Sequence, residues 1–340
     1  MSEFEIIDQY FSTQLCDRDD VKVDIGDDAA VLEVSERKQL VVSMDTLVSG
    51  IHFPENTTPW CIGYKALAVN LSDLAAMGAE PAWMTLALTL PKVESGWLEQ
   101  FSSGLFSLAD QFRVKLIGGD TTRGPLSITI QVHGFVDAGC ALLRDRANEG
   151  DLVYVTGTLG DAAMALFARN KIEPGNNSLT RITDRLEKPL PRVRESLLLK
   201  QYLGAVIDIS DGLVADLNHI LTASRVGAVI NHADIPLSSD FVRCQEKLDE
   251  LKHGVTGLNE ISDKWHSQDW SSFAITQGDD YELCFTVHPE HQSELESLAR
   301  EYEIEITRIG TIVADRGLTI LGCNGSKLDI TRPGYNHFSV

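Results

Sequence analysis

Aspartates beside glycine and serine recur along this chain in settings where a carboxylate could hold a hard cation or meet a phosphate. The first group is Asp24-Ile25-Gly26-Asp27-Asp28, and the second is Ser43-Met44-Asp45-Thr46, just after the apolar Leu40–Val42. Asp73 follows within Asn70-Leu71-Ser72-Asp73-Leu74. Then come Gly118-Gly119-Asp120-Thr121-Thr122 after Val114–Ile117, Asp208-Ile209-Ser210-Asp211-Gly212 after Ala205–Ile207, and Gly278-Asp279-Asp280-Tyr281-Glu282. Aspartate is a common turn and helix-cap residue, so one such cluster says little. The set says more. Open α/β folds build their sites at strand ends, and carboxylates converging there repel unless cations stand between them. Hard oxygen ligands select Mg²⁺ or Ca²⁺, and magnesium typically joins a few carboxylates to substrate phosphates. A glycine before an aspartate lets a backbone N–H come close to a phosphate. No His/Cys cluster offers a competing zinc or iron site.

The elements that must position these residues are short strands and amphipathic helices. Helical spacing of Phe4, Ile7, Phe11 and Leu15 predicts a helix over 3–16, and further helices are expected near 59–77 and 94–112. Strands are expected at Ala29–Val34, Leu40–Ser43, Met84–Leu90, Val114–Ile117 and Ser127–Val136. A polar turn at Glu149–Asp151 precedes a new strand at Leu152–Thr156, which puts a domain boundary near residue 145. The second half reads as a helix near 160–170, a polar stretch Glu173–Asp184, a strand Ala205–Ile209 and a helix at 212–225. Residues 239–272, with His253, Trp265, His266 and Trp270, read as a polar insertion. Strands are expected again at Phe273–Ile275, Glu282–Val287, Ile304–Ile312 and Leu318–Ile320, with a helix at 289–302. Strands mixed with helices throughout predict an α/β (α+β) chain of two domains, 1–145 and 146–340.

Composition narrows the function class. Fifty acidic residues against 29 basic ones give a formal net charge of -21, which repels a phosphate backbone and argues against nucleic-acid binding. An anionic protein that handles anionic phosphates needs cations between them. The six cysteines, at positions 16, 61, 140, 244, 284 and 323, form no CxxC pair. Scattered thiols fit a reducing compartment. The N-terminal MSEFEIIDQY lacks a basic n-region and an apolar core, and the longest apolar stretch, around Ala82–Leu90, is far below a membrane span. The expectation is a cytoplasmic protein with no membrane partner. No GxxxxGK[ST] loop, HRD or DFG motif, or GxSxG elbow is present, so any ATP chemistry uses another architecture.

In their order along the chain these residues resemble the thiamine-monophosphate kinase family, part of the aminoimidazole-ribonucleotide synthetase superfamily. The stretches that carry the resemblance are IGDDAAV (25–31), SMDTLVSGIHF (43–53), YKALAVNLSDLAAMGAEPAW (64–83), LIGGDTTRGP (116–125), DISDGLVADL (208–217), GDDYELCFTV (278–287) and GYNHF (334–338). The resemblance implies a two-domain synthetase-like fold whose N-terminal sheets pair across a homodimer. It also implies transfer of the ATP γ-phosphoryl to thiamine monophosphate with Mg²⁺. By resemblance, Asp28, Ser43, Asp45, Asp73, Asp120, Asp208 and Asp211 would hold magnesium. Asp45, Asp73 and Asp120 stand at the chemistry. Gly119, Asp120, Arg144 and Ser210 would contact ATP, and His52, Asp279 and Tyr335 the thiamine part. Asp279 stands where the family usually has Glu, and Met44 where it often has Thr. Lys65 is equally a solvated helix residue. The acceptor phosphate is already a nucleophile, so direct in-line attack without a general base is expected. Two other readings stay open: a related enzyme acting on a ribonucleotide, and a nucleotide-binding maturation module without turnover.

Overall fold

The computed structural model describes residues 2–254, 270–322, 324–330 and 334–335. Residues 255–269, with Trp265 and His266 of the expected insertion, lie outside the described residues, as do Cys323 and Asn336–Phe338. The chain divides into two compact units, Met1–Ala141 with Pro191–Leu197, and Leu142–Leu190 with Leu198–Val340.

The first unit is a four-stranded sheet with two long helices. In chain order it runs α1 (Glu3–Ile6), a π-helical turn Ile7–Phe11, β1 (Val21–Val23), β2 (Val31–Leu32) and β3 (Lys38–Val48). Then follow α2 (Pro59–Ala76), β4 (Glu80–Leu90), α3 (Ser95–Gln111), β5 (Lys115–Arg123) and β6 (Ser127–Asp137). The helix expected over 3–16 ends at Phe11. The sheet order is β3-β6-β4-β5, antiparallel except for β4 beside β5, which α3 joins as a parallel crossover. Helix α2 starts on Thr58, whose Oγ1 accepts the Cys61 N–H, with Pro59 in the first turn where its missing N–H costs nothing. Its buried residues go all round the helix, which marks it as a central element. Ser196 Oγ donates to the Ala75 carbonyl at 2.6 Å and ties Pro191–Leu197 to this unit.

Strands β3 and β5 run further than expected, and this puts two of the aspartates inside strands. Asp45 lies with Ser43 inside β3 and Asp120 inside β5, while Asp208 lies inside the strand Leu203–Ile209, within the bounds expected for it. On β3, Ser43 and Asp45 share the partly buried face with Leu47, and Leu40, Val42 and Met44 point the other way and are exposed. In β5 the pairing with β4 steps from Leu116 to Gly118, so Ile117 is an extra residue. That bulge explains why Leu116 and Ile117 are both buried, and it re-aims the Gly118–Asp120 segment.

The second unit is a six-stranded sheet with β7 (Leu152–Thr156), β8 (Leu203–Ile209), β9 (Gly227–Asn231), β10 (Glu282–Val287), β11 (Ile306–Val313) and β12 (Gly317–Leu321). Its order is β12-β9-β11-β7-β10-β8, antiparallel except β12 beside β9. Helix α7 (Leu213–Ser224) packs Leu213, Leu217, Ile220 and Leu221 into the core over this sheet. A second core joins α4 (Asp161–Ala168), α5 (Asn177–Glu187), α8 (Ser239–Gly254) and the helix Trp270–Thr276. Helix α6 (Val193–Leu199) lies between α5 and β8 in sequence. Two expectations are corrected here. The polar stretch 173–184 contains most of α5, capped by Asn176 and buried through Leu179, Ile182 and Leu186. Phe273–Ile275 is helical, and that places Phe273 and Trp270 edge-on or tilted against Phe167 in the second core. The described part of the polar insertion is likewise core: Phe241, Cys244 and Leu248 form an apolar stripe on α8. Among the described residues, no helix is long and apolar enough to cross a membrane.

Candidate phosphoryl-transfer site

Helix α2 and strand β3 meet through two cross-links. Ser43 Oγ donates to Asp73 Oδ2 at 2.5 Å, and the Asp45 N–H donates to Asn70 Oδ1 at 3.0 Å. The Asn70 side chain is fixed in turn, since its Nδ2 donates to the Ala66 carbonyl. Sequence reading passed over Asn70. Its signal was the one side-chain amide of the helix, three residues before Asp73. The result is a set of oxygen donors from Ser43, Asp45 and Asp73. Burial, and then the nearby charge of Asp73, push the Asp45 carboxyl up to about 6. A buried carboxylate beside a second one is short of positive charge.

Asp28 and Asp120 form a second grouping in the same unit. The loop carrying Gly26, Asp27 and Asp28 and the bulged strand carrying Gly118, Gly119 and Asp120 line one cavity of about 700 Å³. Both aspartates are exposed. Gly119 has no substitute here, because a Cβ would sit 1.8 Å from the Leu86 carbonyl oxygen. His52 lies in the turn after β3. Its Nδ1 accepts the Val48 N–H at 2.9 Å, so in the neutral ring the proton is on Nε2. Lys65, open between roles in the sequence, is 2% exposed and is not a solvated residue.

In the second unit the site residues hang from the end of β8. Asp208 is buried in the strand, and Ser210 and Asp211 open the loop to α7. The N–H groups of Ser210, Asp211 and Gly212 all donate to Asp216 Oδ2, at 3.0, 3.0 and 3.1 Å. Asp216 thus caps the loop from inside the helix. Burial pushes its carboxyl up to about 7, against the pull of those three N–H donors. Two chain segments close on the loop's carbonyls. Asp279 N–H donates to Ser210 O at 2.9 Å, Tyr281 N–H to Ile209 O at 2.8 Å, and Tyr335 N–H to Asp211 O at 3.0 Å. Asp279 and Tyr335, distant in sequence, therefore flank the same three residues. Gly278 permits the approach, as a Cβ there would lie 2.0 Å from Ser210 O. Asp279 and Tyr281 both have left-handed backbone, φ 73° and 51°, at a cost of about 1–3 kcal/mol each. Arg144 is exposed, with its carbonyl accepting from Ser224 Oγ at 2.9 Å.

The candidate residues thus fall into separate groups. Ser43, Asp45 and Asp73 are together. Asp28, Gly119 and Asp120 share a cavity. Asp208, Ser210, Asp211, Asp279 and Tyr335 share a loop. Among the described residues, no three His, Cys, Asp or Glu side chains converge on one point.

Known proteins resemble the chain over its whole length. A family model described as AIR synthase related protein, N-terminal domain, matches residues 26–136, and its C-terminal counterpart matches 148–322. A thiamine-monophosphate kinase of Escherichia coli strain K12 is 42% identical over 341 residues, covering 99% of this chain and 98% of its own. The crystal structure of thiamine-monophosphate kinase from Stenotrophomonas maltophilia K279a matches with a TM-score of 0.81 and 42% identity, over 96% of this chain and 98% of that one. A chain described as AaThiL complexed with AMPPCP and TMP matches with a TM-score of 0.75 and 29% identity, over 92% of each chain.

Proposed function

The chain belongs to the thiamine-monophosphate kinase family of AIR synthase related proteins, and on that premise we propose that it transfers the ATP γ-phosphoryl to thiamine monophosphate by direct in-line attack with Mg²⁺. The observation that carries the reading is the full-length likeness to relatives named for this reaction, one of them a structure described with an ATP analogue and TMP.

Magnesium suits the donors. Ser43, Asp45 and Asp73 offer only oxygen, and the raised proton affinity of Asp45 marks a place where positive charge is wanted. The same assignment extends to Asp28 and Asp120 on their shared cavity, and to Asp208 and Asp211 in the second unit. When bound, Mg²⁺ shields the repulsion between the two anions that must meet.

The chain's own residues supply placement. The glycine at 119 brings the backbone of β5 within reach of phosphate oxygens beside Asp120, and Arg144 and Ser210 are assigned to the nucleotide. His52 presents an Nε2–H when neutral, a donor suited to a phosphate oxygen. Asp279 and Tyr335 are assigned to the thiamine part, carboxylate to the amino group and ring to the cationic thiazolium. No residue is asked to remove a proton, because the acceptor phosphate is ionised near neutral pH. Positioning and charge neutralisation are the catalytic work.

The test is ADP formation with thiamine monophosphate and with unphosphorylated thiamine, each titrated with Mg²⁺. Turnover is expected with the monophosphate alone and is expected to stop in chelator. Thiamine as the better acceptor, or turnover that persists in chelator, overturns the reading.

A further inference from the structure

Asp280 takes no part in the assignment above, yet it is among the most deeply buried carboxylates, 3% exposed. Both of its oxygens accept the N–H of Gly160, at 2.9 and 3.0 Å, where α4 begins. On either side the backbone is left-handed, at Asp279 and at Tyr281. Non-glycine residues stay in that region only where their surroundings impose it. From the site side, the turn is held by the Asp279 and Tyr281 N–H groups on the carbonyls of Ser210 and Ile209. On the interior side its anchor is Asp280. The Tyr281 hydroxyl also donates to Asp279 Oδ1 at 3.1 Å, so the conformation of the turn fixes where that carboxylate points.

The wall behind the turn is itself a built polar arrangement. Glu282 is fully buried, accepts from Thr156 Oγ1 at 2.6 Å and pairs with Arg185. Thr156 Oγ1 in turn accepts the Leu283 N–H at 2.8 Å. Asp280 is pressed against this wall, where burial raises its proton affinity. A hydrophobic residue would fill the same space with no hydrogen-bonding demand. Among the described residues, the hydrogen-bond donor to Asp280 is the Gly160 N–H.

We infer that Asp280 is a positioning residue for Asp279: anchored on the Gly160 N–H, it holds the Asp279–Tyr281 turn left-handed and so aims the Asp279 carboxylate at the amino group of the acceptor. The inference rests on the assignment of Asp279 to thiamine monophosphate. It adds the device that makes the shorter aspartate side chain serve there.

The experiment compares KM for thiamine monophosphate, KM for ATP and kcat in Asp280→Ala, Asp280→Asn and Asp279→Ala. Asp280→Ala is expected to raise KM for thiamine monophosphate about tenfold and to move KM for ATP less than about twofold. Asp280→Asn keeps one acceptor oxygen on Gly160 and is expected to recover most of that loss. An equal rise in both KM values, or no rise in either, overturns the inference. Asp279→Ala tells two failures apart. If it leaves KM for thiamine monophosphate unchanged, the acceptor assignment falls and the inference with it. If it raises that KM while Asp280→Ala does not, the inference alone falls. Should the alanine chain not fold, hydrogen exchange on Asp280→Leu, which fills the space without an acceptor for the Gly160 N–H, carries the test. The amides of Asp279 and Tyr281 are then expected to exchange at least about threefold faster than wild type, with those of Cys284–Thr286 unchanged. Unchanged exchange at the first two amides overturns it.

Discussion

Burial raises the Asp45 carboxyl to about 6, and the nearby charge of Asp73, which accepts the Ser43 hydroxyl, adds to the rise. The folded-state value lies above the unfolded value of about 4, so the folded chain holds the proton more tightly. The associated stability is present below about pH 4 and is lost as pH rises through about 6. In chelator, the melting temperature is therefore expected to fall across that window, and Asp45→Asn to flatten the fall. A slope that survives in Asp45→Asn assigns the dependence elsewhere. The same crowding sets the catalytic prediction. Asp73→Asn and Asp120→Asn keep size and remove charge, and each is expected to lower kcat at least about a hundredfold, roughly 2.7 kcal/mol. Metal-free stability of Asp73→Asn is expected to hold or rise, since one like charge has gone. Asp137→Asn serves as the control, because its 2.9 Å pair with Lys38 is exposed and contributes little. Near-normal kcat in the two mutants at saturating Mg²⁺ returns these residues to turn and cap duty.

At the scale of elements, the second unit's candidate residues gather at the loop after β8, which the Asp216 carboxylate holds from inside and the main-chain N–H groups of Asp279, Tyr281 and Tyr335 hold from outside. Tyr335 reaches it through its N–H on Asp211 O at 3.0 Å, with its ring half exposed. Tyr335→Ala keeps the N–H and removes only the ring. KM for thiamine monophosphate is expected to rise about five- to thirtyfold, the loss of a roughly 1–2 kcal/mol cation–aromatic contact, with KM for ATP nearly unchanged. An equal rise in both points to damage of the unit instead. What the sequence disclosed of these elements follows from their apolar patterning. Strand β6 was legible because one alternation runs its whole length, and α2, β7 and β10 were legible as continuous apolar runs of helix or strand length. Helix α5 was not, although Leu179, Ile182 and Leu186 stand at helical i, i+3 and i+7 spacing, because the polar residues between them and the Pro-Gly-Asn-Asn turn before them read as a loop. Phe273–Ile275 is too short an apolar run for periodicity to separate helix from strand. The site residues were legible by type, as aspartates beside glycine and serine. Their groupings were not. The bulge at Ile117 depends on pairing with β4, the Asp45–Asn70 bond on α2 lying against β3, and the Asp280 anchor on a glycine 120 residues earlier in the chain. Such supports carry no short motif.

For the whole molecule, the remaining open feature is β3, an eleven-residue strand at the edge of the first unit's sheet. A long edge strand with an apolar face is a liability unless something covers it. The opposite edge is treated differently. There the Gln14 side chain accepts the Leu116 N–H and donates to the Val114 carbonyl, at 2.8 and 2.7 Å, in the manner of a short paired strand. On β3, by contrast, Leu40, Val42 and Met44 are 43, 46 and 61% exposed along one face. A second copy of the chain, bringing the same strand across a two-fold axis, would cover both the face and the edge at once. The net charge of -21 opposes association in general, so a dimer here must be driven by this apolar strip and should persist in low salt. Light scattering at micromolar concentration is expected to report a homodimer. Val42→Asp with Met44→Asp, both on the exposed face and away from Ser43 and Asp45, is expected to give a folded monomer with unaltered far-UV circular dichroism. A wild-type monomer, or a double mutant that stays dimeric, removes β3 as the interface.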